Sequence, residues 1–326
     1  MTTKPLALLA VLAAVVLQAS SARPTSAQSY PSRPITLIVP FPAGGPTDLV
    51  ARLVAERMKG VLGQPIVVEN QGGANGVIGV TRALRAAPDG YTLHMGIWGT
   101  HVVNGAVYPL TYDPIADIEP VSLLVTFPLM LFARKDFPAA DVKELIAWLK
   151  ANPDKASQGT TTAGTHAVGA LFQQVTGTRF QFVPYRGGAP AIQDLMAGHI
   201  DLVWDSPPHL PHVRSGAIKA YTVTAKGRLA SDPNIPTAEE AGLASLSFNF
   251  WFAVFAPKGT PRVIIERLNG AISQALDDTA LQKRVGDIAL TVAPPEQRAP
   301  EVLGSLVRTE IEKWWPIIKA ANIRGE

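Results

Sequence analysis

The sequence predicts an α/β fold divided into two lobes, and three observations carry that expectation. Strand-like and helix-like segments alternate almost throughout the chain after residue 30, the pattern of helices packed on largely parallel sheets. Once a leader is set aside, about 299 residues remain, a length at which a single hydrophobic core tends to divide in two. No low-complexity linker separates the two cores. The lobes are therefore expected to be joined by crossing strands, outward at residues 121–133 and back at residues 250–255. One lobe is assigned residues 28–126 together with 250–326, and the other residues 127–249. Each is expected to hold a mixed, mostly parallel sheet, with a cleft between lobes at the hinge.

The leader is residues 1–27. Lys4 precedes an uninterrupted apolar run of twelve residues, 6–17, too short to span a bilayer and laid out as a signal peptide. Thr25-Ser26-Ala27 fits cleavage after Ala27, with Ala22 as the second choice. The mature protein is thus expected to be exported to the periplasm. It has no cysteine, which removes both disulfides and a lipid-anchored cysteine. Loss of Lys4 and Arg23 leaves 27 basic against 26 acidic residues. No Lys/Arg run points to nucleic acid or a membrane surface.

In chain order, residues 35–39 form a short apolar run of strand length. A turn with two prolines and two adjacent glycines follows, and from Thr47-Asp48 onward Leu49, Val50, Leu53, Val54, Met58 and Leu62 recur at helical spacing. Residues 66–69 read as a strand, 76–87 as a helix, 91–96 and 129–133 as strands. Residues 141–150 and 167–175 read as helices, the second with Thr165 as N-cap and closing at Gly177. A strand at 180–183, a helix at 189–197 and strands at 202–204, 218–224 and 250–255 follow. The tail is helical over 261–276 and 301–321.

Several chemistries are excluded by their motifs. There is no G-x-S-x-G elbow, no H-E-x-x-H and no cysteine nucleophile. Residues 72–79 are Gly-rich but lack the Lys-Ser/Thr of a P-loop. The six histidines, His94, His101, His166, His199, His209 and His212, read as surface or hydrogen-bonded groups rather than a metal set. No metal and no cofactor are expected. An enzyme using Asp48, His166 or Asp205 is the poorer alternative, because no nucleophile–base pair is recognisable.

What remains is a set of loops at the C-terminal ends of strands, the edge where α/β sheets bind ligands. Residues 43–48 join strand to helix N-terminus and present backbone N–H groups and a positive dipole end. Residues 70–76, 160–166, 185–189 and 205–208 are placed alike. Three or four charge-assisted hydrogen bonds at roughly 1.5–3 kcal/mol each match the about 8 kcal/mol of micromolar binding before association costs. Such loops hold a carboxylate without an arginine clamp; Arg186 is the one cation among them.

The segments 30–35, Val39-Pro40-Phe41-Pro42-Ala43-Gly44-Gly45-Pro46-Thr47-Asp48 and Val67-Val68-Glu69-Asn70 resemble the Bug family, the periplasmic solute receptors of tripartite tricarboxylate transporters (TctC-like). So do Pro88-Asp89-Gly90-Tyr91-Thr92-Leu93, Tyr112-Asp113-Pro114, Val183-Pro184-Tyr185-Arg186-Gly187 and residues 236–242, in this order and spacing. The resemblance implies a two-lobed periplasmic-binding-protein (Venus-flytrap) fold and a monomeric receptor, not an enzyme. It implies capture of a small organic anion, a dicarboxylate, an amino-acid-like or an aromatic acid, and delivery to the membrane components of the transporter. A sensor feeding a membrane signalling partner is the alternative. Carried over residue by residue, the ligand-binding set is Ala43, Gly44, Gly45, Thr47, Asp48, Asn75, Gly76, Thr162, Thr165, Tyr185, Gly187, Gly188, Ala189 and Asp205. Pro46 departs from the family's Gly or Ser and cannot donate an N–H. Asn70-Gln71-Gly72-Gly73 replaces the commoner Asn-Arg-Pro-Gly, with one cation fewer. Trp98 and Trp204 stand where smaller residues or Phe are usual, either as core or as an aromatic wall for a ring-bearing carboxylate.

Overall fold

The computed structural model describes residues 30–185 and 187–324. The predicted leader and Arg186 lie outside them. β1 (Ile35–Val39) leads through the Gly-rich turn into α1 (Pro46–Leu62). Pro46 occupies the first helical position, where a missing N–H costs the helix nothing. Gly63 ends the helix in the left-handed region (φ 71°), its N–H on the Lys59 carbonyl at 3.0 Å. β2 (Ile66–Asn70), α2 (Val77–Leu84) and β3 (Thr92–Ile97) follow, α2 being shorter than the predicted 76–87. A π-helical turn, Gly99–Val103, comes next.

β4 (Ile118–Phe127) carries the chain out of the first sheet and β5 (Met130–Arg134) opens the second. α3 (Val142–Ala151) is capped by Asp141, whose side chain accepts the Glu144 N–H. β6 (Ser157–Thr160), α4 (Ala163–Thr176), β7 (Gln181–Pro184), α5 (Gly188–Ala197), β8 (Leu202–Asp205) and β9 (Ile218–Val223) complete the second sheet and its helices. β10 (Phe250–Pro257) returns to the first sheet. α6 (Arg262–Leu276), α7 (Thr279–Asp287), β11 (Thr291–Val292) and α8 (Pro300–Ala320) finish the chain.

The first sheet runs β11-β4-β10-β3-β1-β2 and the second β7-β6-β8-β5-β9. Both are mixed, but the parallel share is smaller than expected. Parallel pairing is confined to β2-β1-β3 and to β7-β6-β8. The strands that carry the chain between lobes pair antiparallel to their neighbours, β10 with β3 and β4, β5 with β8 and β9. An outgoing and a returning strand laid side by side must run in opposite directions.

The two crossings pair directly, Phe127 with Phe250 and Thr126 with Trp251, and both are tied to Thr224 after β9. The Leu129 N–H donates to Thr224 Oγ1 at 2.9 Å, the Thr224 N–H to the Leu129 carbonyl at 2.8 Å, and the Phe248 N–H to the Thr224 carbonyl at 2.9 Å. One hydrophobic cluster continues through both sheets and contains Trp98, Leu123, Leu131, Leu171, Trp204, Trp251 and Trp314. α8 packs both on β4 and on α4, so the C-terminal helix also bridges the halves.

Behind the end of β3 lies a buried histidine pair. His94 Nε2 and His101 Nε2 are 3.2 Å apart, Thr100 Oγ1 lies 2.8 Å from His101 Nδ1, and the His101 ring stacks on Phe255 at 4.0 Å. Burial pushes the His94 imidazole from 6.5 down to about 3. Burial, then the neighbouring His94, holds His101 well below its ordinary value. Both rings are neutral when folded, whereas the unfolded chain takes up protons below about pH 6.5. Their depressed values therefore contribute stability above pH 6.5 that is lost as pH falls toward 3. The urea midpoint is expected to drop between pH 6.5 and 4, and the double variant His94→Gln/His101→Gln to show a shallower drop. An equal slope in the variant would refute this assignment.

Candidate functional site

Three strand ends and the two crossings converge on one place. β3 ends in Ile97 with Trp98 next in the chain, β6 runs into the first turn of α4, and β8 ends in Asp205. Phe127 and Leu129 come from the outward crossing and Phe250 to Phe252 from the return. These residues, with Phe41, Asn75, Gly99, Val103, Asn104 and Ser206, enclose a cavity of about 220 Å³ walled by both lobes. It is smaller than the roughly 300–1,000 Å³ of drug-sized sites, so its occupant is small.

The polar end is the first turn of α4. Thr162 is the N-cap, correcting the expected role of Thr165, which sits three residues further in. The two form a reciprocal box: Thr162 Oγ1 accepts the Thr165 N–H at 3.1 Å, and Thr165 Oγ1 accepts the Thr162 N–H at 3.1 Å and the Thr161 N–H at 2.9 Å. The helix begins four residues earlier than the sequence indicated because this box closes a full turn ahead of the apolar periodicity. Ala163 and Gly164, at the first two helical positions, have no intrahelical acceptor for their N–H groups and line the cavity. Gly164 is required there. A Cβ would stand 2.9 Å from Trp98 Cζ3 and 3.2 Å from Phe250 Cζ.

Trp98 is 1% exposed and lines the cavity from behind. Its ring stacks on Phe250 with centroids 4.5 Å apart, and its Nε1 donates to Glu310 Oε2 at 3.0 Å. Trp204 packs in the core of the second lobe, near Phe172, and does not line the cavity.

The Gly-rich turn after β1 has a different arrangement from the anion cradle read in the sequence. Asp48 is 3% exposed, and its carboxylate accepts the Gly44 N–H at 2.9 Å, Arg52 Nε at 3.0 Å and Asn70 Nδ2 at 2.9 Å. Burial raises its pKa, but the bonds from Arg52, Gly44 and Asn70 outweigh burial and hold it below the ordinary value. Asp48 thus braces the loop from inside, and the Gly44 N–H is committed to it.

Of the predicted set, Asn75, Thr162, Thr165 and Asp205 line the cavity. Asn75 sits in the left-handed region (φ 48°), with its Nδ2 on the Tyr108 hydroxyl at 2.7 Å. Ala43, Gly44, Gly45, Thr47, Asp48, Gly76, Tyr185, Gly187, Gly188 and Ala189 lie outside the lining. Gly76 is packed just behind it, where a Cβ would meet Thr100 Cγ2 at 2.7 Å. A Cβ on Gly188 would collide with Asp205 Oδ2. Tyr185 turns to α5, its hydroxyl donating to Asp194 Oδ2 at 2.7 Å; burial, then Asp194, pushes it up to about 12. Asp205 Oδ1 accepts the Ser206 N–H at 2.7 Å, and His209 Nε2 stands 3.3 Å from its Oδ2. The phenylalanines at 41, 127, 250 and 252, with Ile97, were not expected at the site. Their only sequence signal was the clustering of large apolar residues at strand ends.

Comparison with known proteins agrees with this geometry. Residues 50–323 match the tripartite tricarboxylate transporter family receptor. The BugT protein of Bordetella pertussis is 36% identical over 322 residues, 97% of this chain and 98% of its own. The structure of MatC from Rhodopseudomonas palustris with bound malate is 41% identical, covers 89% of this chain and all of its own, and superposes with a TM-score of 0.75. That of Rpa4515 from the same organism with adipate is 33% identical, covers 90% and 99%, and superposes at 0.75. The chain belongs to the tripartite tricarboxylate transporter receptor family, whose members are periplasmic solute-binding proteins of the Bug type and not enzymes.

Proposed function

We propose that this receptor captures a small organic carboxylate in the cavity between its lobes and presents it to the membrane components of a tripartite tricarboxylate transporter. The observation that carries the reading is the first turn of α4, whose Ala163 and Gly164, with amides free of intrahelical acceptors, line a mostly apolar chamber walled by both lobes. A helix N-terminus of this kind favours an anion through its N–H groups and its dipole. The lobes, residues 28–126 with 250–326 and residues 127–249, would close about the paired crossings. The chamber is complete within one chain, so a monomer suffices. The segment 1–27 would export it to the periplasm. Among the described residues no helix is long and apolar enough to cross a membrane.

The direct test is calorimetry of the mature protein against a panel of carboxylic acids, with native mass spectrometry of whatever co-purifies. Saturable binding of at least one acid is expected, and no heat with any of them would refute the reading. Gly164→Ala forces the first turn of α4 away from Trp98 and Phe250. Acid affinity is expected to fall about tenfold or more, equivalent to about 1.4 kcal/mol. Wild-type affinity in this variant would remove α4 from the site.

Asp48→Asn keeps the shape of the side chain but removes the charge that pairs with Arg52. It is expected to lower unfolding free energy by about 1–3 kcal/mol, read from urea denaturation. Because a depressed carboxylate contributes stability above its unfolded pKa and loses it as pH falls, the variant and wild type should converge in acid.

A further inference from the structure

We infer that the chamber is built for a monocarboxylate with a flat apolar body, an aromatic acid, rather than for an aliphatic dicarboxylate. The inference rests on the receptor reading above and narrows the ligand. Phe41, Ile97, Phe127 and Phe250 line the cavity and are only partly covered by the protein. Phe127 already meets Phe250 and Phe252 edge to face, with centroids 5.7 and 5.2 Å apart. A ligand ring would join that cluster in the geometry aromatic rings prefer.

The charges point the same way. No described residue lining the chamber is Lys, Arg or His, and the one charged group among them is the Asp205 carboxylate. The α4 turn can receive one anion. A second carboxylate on the ligand would be stripped of water against phenylalanine rings, with a like charge in the same wall and no cation among the described lining residues to offset it. A ring bearing a single carboxylate avoids both costs. The relatives whose structures hold malate and adipate carry dicarboxylates, so this chain would differ from them in ligand class.

Glu310 is the positioning residue for the wall. A single oxygen, Oε2, accepts both the Trp98 Nε1 at 3.0 Å and the Trp314 Nε1 at 2.7 Å. Trp98 in turn stacks behind Phe250 and abuts Gly164. Losing that acceptor frees the indole and lets the Phe250 face shift.

The test is calorimetry of the mature protein with benzoate and nicotinate against malate and adipate. At least one ring acid is expected to bind tenfold or more tighter than either dicarboxylate. Malate or adipate binding as tightly as both ring acids overturns the inference and leaves the receptor reading intact. Binding of no acid overturns both. Glu310→Leu is expected to weaken the tighter ring acid at least tenfold and to red-shift tryptophan emission. Glu310→Gln keeps an oxygen acceptor and should return affinity to within threefold of wild type. Wild-type affinity in Glu310→Leu, or no recovery in Glu310→Gln, overturns the positioning role. Should the leucine variant fail to fold by circular dichroism, the wild-type ligand panel decides the ligand class by itself.

Discussion

The site depends on one close contact between lobes, the approach of Gly164 on α4 to the ring of Trp98. Without a side chain at 164, the first turn of α4 comes down onto an aromatic cluster from the other lobe and brings Ala163 and Gly164, which have no intrahelical acceptors for their amides, into the chamber's lining. A methyl group there would stand 2.9 Å from the indole. Close-packed interiors do not absorb such an overlap cheaply. Trp98 cannot retreat, because its Nε1 is held by Glu310 and its far side meets Trp314 at 5.1 Å. The polar end and the apolar end of the chamber are thus fixed by the same residue.

The topology explains why the chamber lies where it does. In each sheet the parallel strands bring their C-terminal ends to one edge, and the crossing strands pass along that edge on their way between lobes. A crossing strand is covered on both sides and therefore apolar, as in Phe250-Trp251-Phe252. The walls contributed by the crossings are consequently aromatic, joined by Phe41, Ile97 and Trp98 at and just beyond strand ends of the first sheet, while the polar groups come from the turns after β6 and β8 and from Asn75 and Asn104. The division between a polar end and an apolar end follows from these elements.

Much of this was legible in the sequence, and the exceptions have physical causes. β1 and α1 were readable because a strand covered on both faces is a near-continuous apolar run, and because Gly and Pro mark the turn. β6 was missed because Ser157, Gln158, Gly159 and Thr160 carry no apolar signal. Gln158 is nonetheless fully buried, against Gly169 of α4. α7 was missed as well, although Asp278 caps it by accepting the Leu281 N–H. The hydroxyls of the Thr160–Thr165 region were recognised as a cap, but with several threonines in reach the sequence could not say which one would serve; the box uses two. The phenylalanine walls were invisible as a site, since burial in a core and exposure to a chamber leave the same composition.

The Gly-rich turn after β1 shows how a local motif is redirected by a charge within it. Its glycines and its helix N-terminus describe an anion cradle, and one of its N–H groups, that of Gly44, is taken by the protein's own Asp48. Placed at the third position of α1, the carboxylate reaches back four residues to the Gly44 N–H while Arg52, four residues ahead, and Asn70 on β2 complete its shell. Burial alone would disfavour that charge, and the bonds reverse the balance. The turn is braced from within, the first turn of α4 forms the polar end of the chamber from the opposite lobe, and the crossings, Ile97 and Trp98 supply the apolar end. A ligand whose carboxylate is held by one lobe and whose body is held by the other loses half its contacts when the lobes part. It therefore favours the closed arrangement by the free energy of whichever half is lost.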